Sequence, residues 1–365
     1  MTWRISNFDA YDAPYVLSQV KAIEWLTKAY ELTQKRDASQ INKILSKFSA
    51  KPSQVEKRRH FIPDFSHLRW EDMLVFNLGD NPYGQGLEKR VQFFQKTAIE
   101  IMKQFYQNDT AGPDEIIHVT CTGYVSPSAP YHILEQNKWH KSTLVTQLYH
   151  MGCFAAIPAL RLAHRQGAQD VPRKQIDIVH TELCSLYFNP MLFTPEQIVV
   201  QSLFADGAIK YSVSHNKTND DIPGFTLENL KEEIVPDSLG DMTWLTTDHG
   251  FHMTLSREVP SKIKSRIRAF TLELLGDHDS GKVIFAIHPG GPKIIETIAH
   301  ELELSPWQYV HSQQVLKNYG NMSSATLPYI WKTILDDSEV PFGTRVLSMA
   351  FGPGLTLCGA LMRKT

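Results

Sequence analysis

The sequence has few cysteines and no long hydrophobic run. Its 365 residues include 4 cysteines, Cys121, Cys153, Cys184 and Cys358, and their spacing fits neither a metal site nor a disulfide framework. No stretch approaches the roughly 20 apolar residues that cross a bilayer, and the N-terminus lacks the basic and apolar start of a signal peptide. We therefore expect a cytoplasmic protein with reduced thiols, no bound metal and no transmembrane segment.

An excess of charge is also missing. The chain has 37 basic and 39 acidic residues, a formal net charge of −2, which gives no general attraction to nucleic acid or to an anionic membrane. Hydrophobic residues make up 42% and charged residues 21%, a balance typical of a globular protein with a large core. The length indicates two domains or one large two-part domain.

Strand-like and helix-like segments alternate along the chain. The stretch 15–34 has helical apolar spacing, "DEIIHVTCTG" (114–123) reads as a buried strand, and "CFAAIPALRLAHRQG" (153–167) reads as a helix. The same alternation resumes after a polar, turn-rich passage around Asn216–Pro223, which we take as the join between residues 1–218 and 219–365. The pattern predicts an α/β protein with mostly buried sheets.

Cys153 lies between a strand-like run and a helix in "YHMGCFAAIPALRLA" (149–163). A helix N-terminus offers free N–H groups and partial positive charge, which lower a thiol pKa and favour a nucleophilic thiolate. Gly152 allows a tight turn into the helix. The alternative is an inert core cysteine, since a free cysteine packs as a small hydrophobic residue.

Two further polar residues follow the same logic. His288 ends the apolar strand of "KVIFAIHPGGPKII", at the type of strand end where catalytic groups collect in α/β proteins, although it could instead cap the next turn. Asn321, in "NYGNMSSATLPYIW", could cap the next helix or present its amide to a pocket as a donor. Spacing alone does not bring these residues to Cys153.

Five motifs together carry a family resemblance. "GCFAAIPALRLA", "QSLFADGA", "AIHPGGPKIIE", "YGNMSSA" and "FGPGLT" occur in the order found in type III polyketide synthases, and the likeness runs from "APYVLSQ" near the N-terminus to the last strand. The chain resembles this family of chalcone and stilbene synthases, and its bacterial members in particular. The resemblance implies a thiolase fold of two similar αβαβα halves, the first carrying Cys153 and the second His288 and Asn321, in a homodimer.

The resemblance also implies an activity. Cys153 would carry the acyl chain, while His288 and Asn321 would hold the thioester carbonyl of malonyl-CoA during decarboxylative condensation. Acyl-CoA and malonyl-CoA would be the partners, as substrates, and no cofactor would be needed. Residues matching the family's coenzyme A tunnel, where basic side chains meet the phosphates and a glycine backbone lies beside the pantetheine, are Lys47, Lys51, Arg58, Gly290 and Gly291. A solvated helix face is the alternative for the basic stretch.

The remaining carried-over positions belong to the acyl cavity. Phe204 and Phe251 match two gatekeeper phenylalanines, and Ser323 matches a cavity serine. Plant relatives have threonines where this chain has Cys121, Cys184 and Tyr187, and a glycine where it has Met242. The added bulk of Tyr187 and Met242 argues against a plant-type starter. The resemblance to bacterial members implies a fatty acyl starter and an alkylpyrone or alkylresorcinol product.

Three rival interpretations remain. A thiolase would use a second cysteine, such as Cys358, but thiolases have a histidine where this chain has Asn321, so we expect Cys358 to be a core residue. A β-ketoacyl synthase shares the Cys-His-Asn set and would make one condensation between acyl groups bound to an acyl carrier protein. A non-catalytic partner protein would be expected to have lost one of the three residues.

Overall fold

The computed structural model describes residues 3–167, 175–214 and 222–365. Over these ranges one mixed sheet has nine strands, and two short two-stranded sheets lie beside it. The strands are β1 Arg4–Tyr11, β2 Tyr15–Ser18, β3 Lys57–His60, β4 Glu115–Thr120, β5 Leu144–Tyr149, β6 Gln175–Leu183, β7 Asp206–Ser214, β8 Gly224–Ile234, β9 Met242–Thr247, β10 Gly250–Leu255, β11 Val283–Ile287, β12 Arg345–Gly352 and β13 Thr356–Lys364.

Some helices pack against the large sheet and others against one another or the small sheets. They are α1 Gln19–Gln34, α2 Ala38–Phe48, α3 Leu87–Tyr106, α4 Ala129–Gln136, α5 Ala156–Gly167, α6 Pro195–Leu203, α7 Val259–Leu275, α8 Pro292–Glu301, α9 Val310–Tyr319 and α10 Thr326–Asp336. Helix α5 contacts β4, β7 and β13, so it lies against strands from both parts of the chain. This position explains the small residues after Cys153, because Ala155, Ala156 and Ala159 are fully buried there.

The sheet repeats one pairing scheme. In the order β11-β12-β13-β8-β1-β7-β6-β4-β5, the run β4-β6-β7-β1 is joined by one parallel and then two antiparallel pairings. The run β11-β12-β13-β8 is joined in the same way, with its strands in the corresponding chain order. The strands therefore form two similar sets, from residues 4–214 and 224–364, and the predicted α/β fold is confirmed. The predicted boundary between 218 and 219 lies outside the described residues.

Several elements differ from the sequence prediction. Residues 15–18 form β2 rather than the first turn of a helix, because they pair with β3, and Val16 faces solvent. Ser18 then caps α1, with its side chain accepting the N–H of Lys21. Helices α3 and α6 are not among the predicted elements. No helix in the described ranges is long and apolar enough to span a membrane.

Candidate active site

Two adjoining pockets meet at Cys153. The outer pocket is lined by residues from α6, β10, α7, α8 and the loops after β11 and α9, including Cys153, His288, Gly290, Gly291 and Asn321. The inner cavity is lined by residues around β3, β9, β10 and the end of β6. Five residues border both: Cys153, Val200, Phe204, Met242 and Met253. A group attached to the Cys153 sulfur can therefore reach either space.

The backbone before Cys153 is held in a tight turn. Gly152 has a φ of 92°, which a residue with a side chain rarely adopts, and an added Cβ would lie 2.3 Å from Cδ of Pro353. The N–H of Gly152 also donates to Sγ of Cys121 at 3.0 Å. Glycine at 152 therefore lets the "FGPGLT" turn approach the nucleophile loop closely.

The Cys153 thiol is buried and is 8% exposed. Burial raises its pKa to about 12, and a weak contact of 3.8 Å with Oγ of Ser323 opposes this only in part. The sequence predicted a lowered pKa for Cys153 at a helix N-terminus, and this prediction is wrong. Helix α5 begins three residues after Cys153, at Ala156. A proton acceptor is needed before the sulfur can act as a nucleophile.

His288 lies directly after β11 and is 1% exposed. The main-chain N–H of His288 donates to the carbonyl of Met349, which fixes the backbone. Both ring nitrogens are buried without a hydrogen-bond partner. Burial lowers the pKa of His288 to about 3, so the ring is neutral near pH 7. A neutral imidazole in the same pocket as a thiol has one nitrogen that can accept a proton and one that can donate.

Asn321 combines a structural bond with a free donor. Its Oδ1 accepts the N–H of Ser323 at 2.9 Å, as in a cap. Its main chain pairs with residues 203–205, here called the gate segment because they include the predicted gatekeeper Phe204. The N–H of Asn321 donates to the carbonyl of Leu203, and the N–H of Ala205 donates to the carbonyl of Asn321, both at 2.9 Å. The bond to Oδ1 agrees with the cap interpretation. The occupied Oδ1 leaves Nδ2 as the group that can donate in the outer pocket, so the donor interpretation stays a prediction.

The seven residues predicted to contact the acyl chain all line the inner cavity. Tyr187 and Phe251 stack with ring centroids 4.3 Å apart, and Trp244 meets both rings edge-on. The Tyr187 hydroxyl donates to the carbonyl of Thr122 at 2.6 Å, and Nε1 of Trp244 donates to that of Cys121 at 2.7 Å. The side chains that line the cavity are Cys121, Cys184, Tyr187, Phe204, Met242, Phe251 and Ser323.

A fully buried carboxylate lies behind the nucleophile. Glu182 accepts the N–H of Cys121 at 3.0 Å and the hydroxyl of Thr122 at 3.0 Å with one oxygen. Its other oxygen accepts the hydroxyl of Ser324, which also bonds Nδ1 of His180 at 3.0 Å. Burial raises the pKa of Glu182, and these donors oppose the rise. This network joins β6 to the segment after Asn321 and holds both sides of the site together.

The five predicted coenzyme A residues do not lie together. Lys47, Gly290 and Gly291 line the outer pocket, but Lys51 is exposed and lines neither space. Arg58 is a correction: it is 4% exposed, lines the inner cavity, and donates to Gln19 and to the carbonyls of Gln201 and Phe204. Its guanidinium supports the gate segment and is not available for phosphates.

Two cations that the sequence prediction missed line the outer pocket. Arg257 follows β10 and Lys293 lies in the first turn of α8, and both are exposed, as is Lys47. The sequence held a signal for Lys293, because this residue directly follows the "HPGGP" motif. Arg257 gave no signal, since nothing in its surrounding sequence distinguishes it from a solvated charge. Cys358 lies in the core on β13, away from both pockets, as predicted.

Comparisons with known proteins agree with this geometry. Residues 226–365 match the family model described as chalcone and stilbene synthases, C-terminal domain. Type III polyketide synthase C of Arabidopsis thaliana is 28% identical over 258 residues, which are 68% of this chain and 66% of that protein, just under two thirds. The 1,3,6,8-tetrahydroxynaphthalene synthase of Streptomyces griseus is 27% identical over 281 residues, 74% of each chain.

The fold is shared along the whole chain. The crystal structure of 1,3,6,8-tetrahydroxynaphthalene synthase from Streptomyces coelicolor superposes with a TM-score of 0.81 at 22% identity, covering 99% of both chains. Fold and site thus define a thiolase-fold protein with a cysteine, a histidine and an asparagine at one pocket. Together with the sequence matches, they make the chain similar to type III polyketide synthases in both sequence and fold.

Proposed function

We propose that this chain is an acyltransferase that loads an acyl group on Cys153 and extends it with malonyl-CoA by decarboxylative Claisen condensation. The observation that carries the proposal is that Cys153, His288 and Asn321, which are far apart in the sequence, line one pocket. All three are buried, and the pocket has exposed cations on its lining. No cofactor beyond the coenzyme A thioesters is required by the steps below.

In the loading step, the Cys153 sulfur attacks the thioester carbon of the starter. His288, neutral and unbonded on both nitrogens, accepts the thiol proton as the new carbon–sulfur bond forms. The bond to coenzyme A breaks, and the leaving thiolate takes that proton. The result is an acyl-enzyme, free coenzyme A and a neutral imidazole.

In the extension step, malonyl-CoA loses carbon dioxide, and the electron pair that remains forms an enolate. The ring N–H of His288 and Nδ2 of Asn321 donate to its negative oxygen, and fixed donors in a buried site stabilise such a charge strongly. The enolate carbon attacks the Cys153 thioester, whose carbon–sulfur bond breaks. The chain, two carbons longer, leaves on coenzyme A and can be loaded again.

Exposed cations and glycine backbone suit the coenzyme A portion. Lys47, Arg257 and Lys293 come from α2, the end of β10 and α8, so positive charge surrounds the outer pocket on several sides. Phosphates attract such groups. Gly290 and Gly291 leave room for the pantetheine arm between these cations and the sulfur.

The starter that we propose is a fatty acyl group, and the product an alkylpyrone or alkylresorcinol. Its support is the apolar character of the walls, since the residues shared by both pockets include Val200, Phe204, Met242 and Met253. Such walls favour a hydrocarbon chain over a polar starter. The alternative donor of that starter is an acyl carrier protein.

We also propose a homodimer. Strand β5 is one of the two edges of the large sheet, β11 being the other, and no strand in the described ranges pairs with its outer side. It exposes Leu144, and Tyr131 nearby is also exposed. A free sheet edge is usually blunted or covered, and a second copy of the chain that pairs with β5 would extend the sheet there. Analytical ultracentrifugation of the wild type and of Leu144→Lys tests this, because the charge should weaken the dimer.

The four cysteines are all unpaired, which supports a reducing, cytoplasmic location.

The function is tested by mass spectrometry of products from the purified protein. It is incubated with malonyl-CoA and acyl-CoA starters from 2 to about 16 carbons, with Cys153→Ala as the matched control. We expect pyrone or resorcinol products from the wild type only, with the longer starters preferred. A requirement for an acyl carrier protein would instead favour the β-ketoacyl synthase interpretation. Absence of any condensation product would overturn the proposal.

A further inference from the structure

The inner cavity contains a histidine with no assigned role. His60 ends strand β3, lines the cavity, and is 1% exposed. Its ring stacks on Phe65 with centroids 4.7 Å apart, and both ring nitrogens are buried without a hydrogen-bond partner. The side chain is therefore held in place by packing alone.

One other histidine, His288, also has two buried and unbonded ring nitrogens. Among the histidines in the described ranges, only His60 and His288 have both nitrogens buried and unbonded. His118 and His180, equally buried, use both of their ring nitrogens in hydrogen bonds. His288 lines the outer pocket and His60 the inner cavity, so each space has one neutral imidazole available to a ligand.

The other polar groups of the inner cavity are already committed. Arg58 donates to Gln19 and to main-chain carbonyls, and Tyr187 donates to a carbonyl. The hydroxyls of Thr122 and Ser185 donate to buried carboxylates. Apart from the thiols and the Ser323 hydroxyl, which contacts the Cys153 sulfur at 3.8 Å, His60 is thus the polar side chain on the described cavity wall that still has its full bonding capacity.

An unbonded buried imidazole is costly, because a polar group loses its water without a replacement. Burial, aided by the positive charge of Arg58, lowers the pKa of His60 well below its ordinary value, so the ring is neutral. A neutral imidazole offers one donor and one acceptor. A ligand that brings a carbonyl or enol oxygen into an otherwise apolar space would satisfy it.

We propose that His60 binds a ketone or enol oxygen of the extended chain while that chain is attached to Cys153. The inference rests on the proposed function, which places a chain with a carbonyl on every second carbon beside this cavity. His60 thereby becomes a specificity residue, because its position selects which ketone is held and hence how far the chain extends before release.

The experiment compares His60→Phe, which keeps a ring against Phe65 but removes both nitrogens, with His60→Gln, which restores a donor and an acceptor. The readout is the ratio of fully extended to early-released products, measured by mass spectrometry. His311→Phe is the matched control, since it removes a buried imidazole that pairs with Asp337 outside both pockets. Thermal unfolding checks that each variant is folded.

We expect the ratio to fall about 3- to 10-fold in His60→Phe, as for the loss of one hydrogen bond, and to stay within about 2-fold of the wild type in His60→Gln and His311→Phe. An unchanged ratio in folded His60→Phe, or an equal loss in folded His60→Gln, overturns the proposal. If His60→Phe does not fold, His60→Leu takes its place, and failure of both apolar variants to fold assigns His60 a structural role only. A wild type that makes no polyketide overturns the proposed function itself, which separates the two failures.

Discussion

The carboxamide oxygen of Asn321 accepts the backbone N–H of Ser323 at 2.9 Å. This bond fixes the side chain and shapes the turn in which Ser323 has a φ of 50°. The bond also gives the two atoms of the amide different roles: Oδ1 holds the turn, and Nδ2 is left to donate a hydrogen bond to a substrate. The two functions of one side chain can therefore be separated by an isosteric change.

Asn321→Asp keeps an oxygen for the Ser323 N–H and removes the Nδ2 donor. We expect malonyl-CoA decarboxylation to fall on the order of 10²–10³-fold, the usual cost of one lost oxyanion donor. Starter loading on Cys153 should fall much less, as followed by mass spectrometry of the intact acyl-enzyme. Decarboxylation near the wild-type rate would leave Asn321 with only its structural bond.

The reactivity of Cys153 should depend on His288. Burial favours the neutral thiol, so a proton acceptor in the same pocket is needed for attack. In His288→Ala, alkylation of Cys153 by iodoacetamide should be slower by at least about 10-fold, in line with the loss of a general base. Peptide mapping of the labelled protein measures this, with Cys358 as the internal control. An unchanged rate would mean that His288 does not act on the thiol.

Tyr187 and Met242 should limit the inner cavity. The double variant Tyr187→Thr with Met242→Gly removes bulk that both side chains place on its wall. We expect longer chains or longer starters in the products, at a cost of a few kcal/mol in unfolding free energy for two large-to-small changes. Tyr187→Phe, which loses only the bond to the Thr122 carbonyl, is the control. An unchanged product profile in a folded, active double variant would contradict the prediction.

The cations of the outer pocket should bind the phosphates of coenzyme A. Single alanine variants of Lys47, Arg257 and Lys293 should each raise KM for malonyl-CoA up to about 5-fold, the effect of an exposed ion pair worth up to about 1 kcal/mol. The effect should shrink as salt concentration rises. Lys43→Ala, on the same helix as Lys47 but outside the pocket lining, should leave KM unchanged.

Buried histidines should make stability depend on pH. Burial lowers the pKa of His118 to about 3, whereas an unfolded chain binds this proton near pH 6.5. Because the unfolded chain takes up this proton and the folded chain does not, the free energy of unfolding decreases as pH falls below about 6.5. The decrease is up to about 1.4 kcal/mol per pH unit. The stability lost in His118→Gln should thus be about 2 kcal/mol smaller at pH 5 than at pH 6.5. Thermal unfolding at both pH values tests this, and a constant difference would contradict it.

Residue patterns were sufficient for the fold class, whereas the grouping of Cys153, His288 and Asn321 was predicted only through the family resemblance. Strong periodicity gave the helix after Cys153 and the strand before His288, because burial of one face dictates those patterns. It failed for residues 15–18, where pairing with β3 overrides helical spacing. Local pattern cannot report a pairing partner that is about 40 residues away in the sequence.

The basic stretch shows a second limit. Arg58 and Lys47 are equally basic in the sequence, yet one is buried under the gate segment and the other lines the outer pocket. Only the tertiary position of the main-chain carbonyls of Gln201 and Phe204 decides between these outcomes. For the same reason His60 carried no signal, since its meaning depends on partners that it lacks.

The contacts between Glu182 and Ser324, and between Gly152 and Pro353, each join one half of the chain to the other across the nucleophile. Chimeric enzymes assembled from two relatives at a junction between residues 214 and 222 would therefore inherit one member of each pair from each parent. We expect such hybrids to be active only where both parents keep a carboxylate at the first site and a glycine–proline match at the second. Recombination between relatives is thus constrained by these contacts rather than by overall identity.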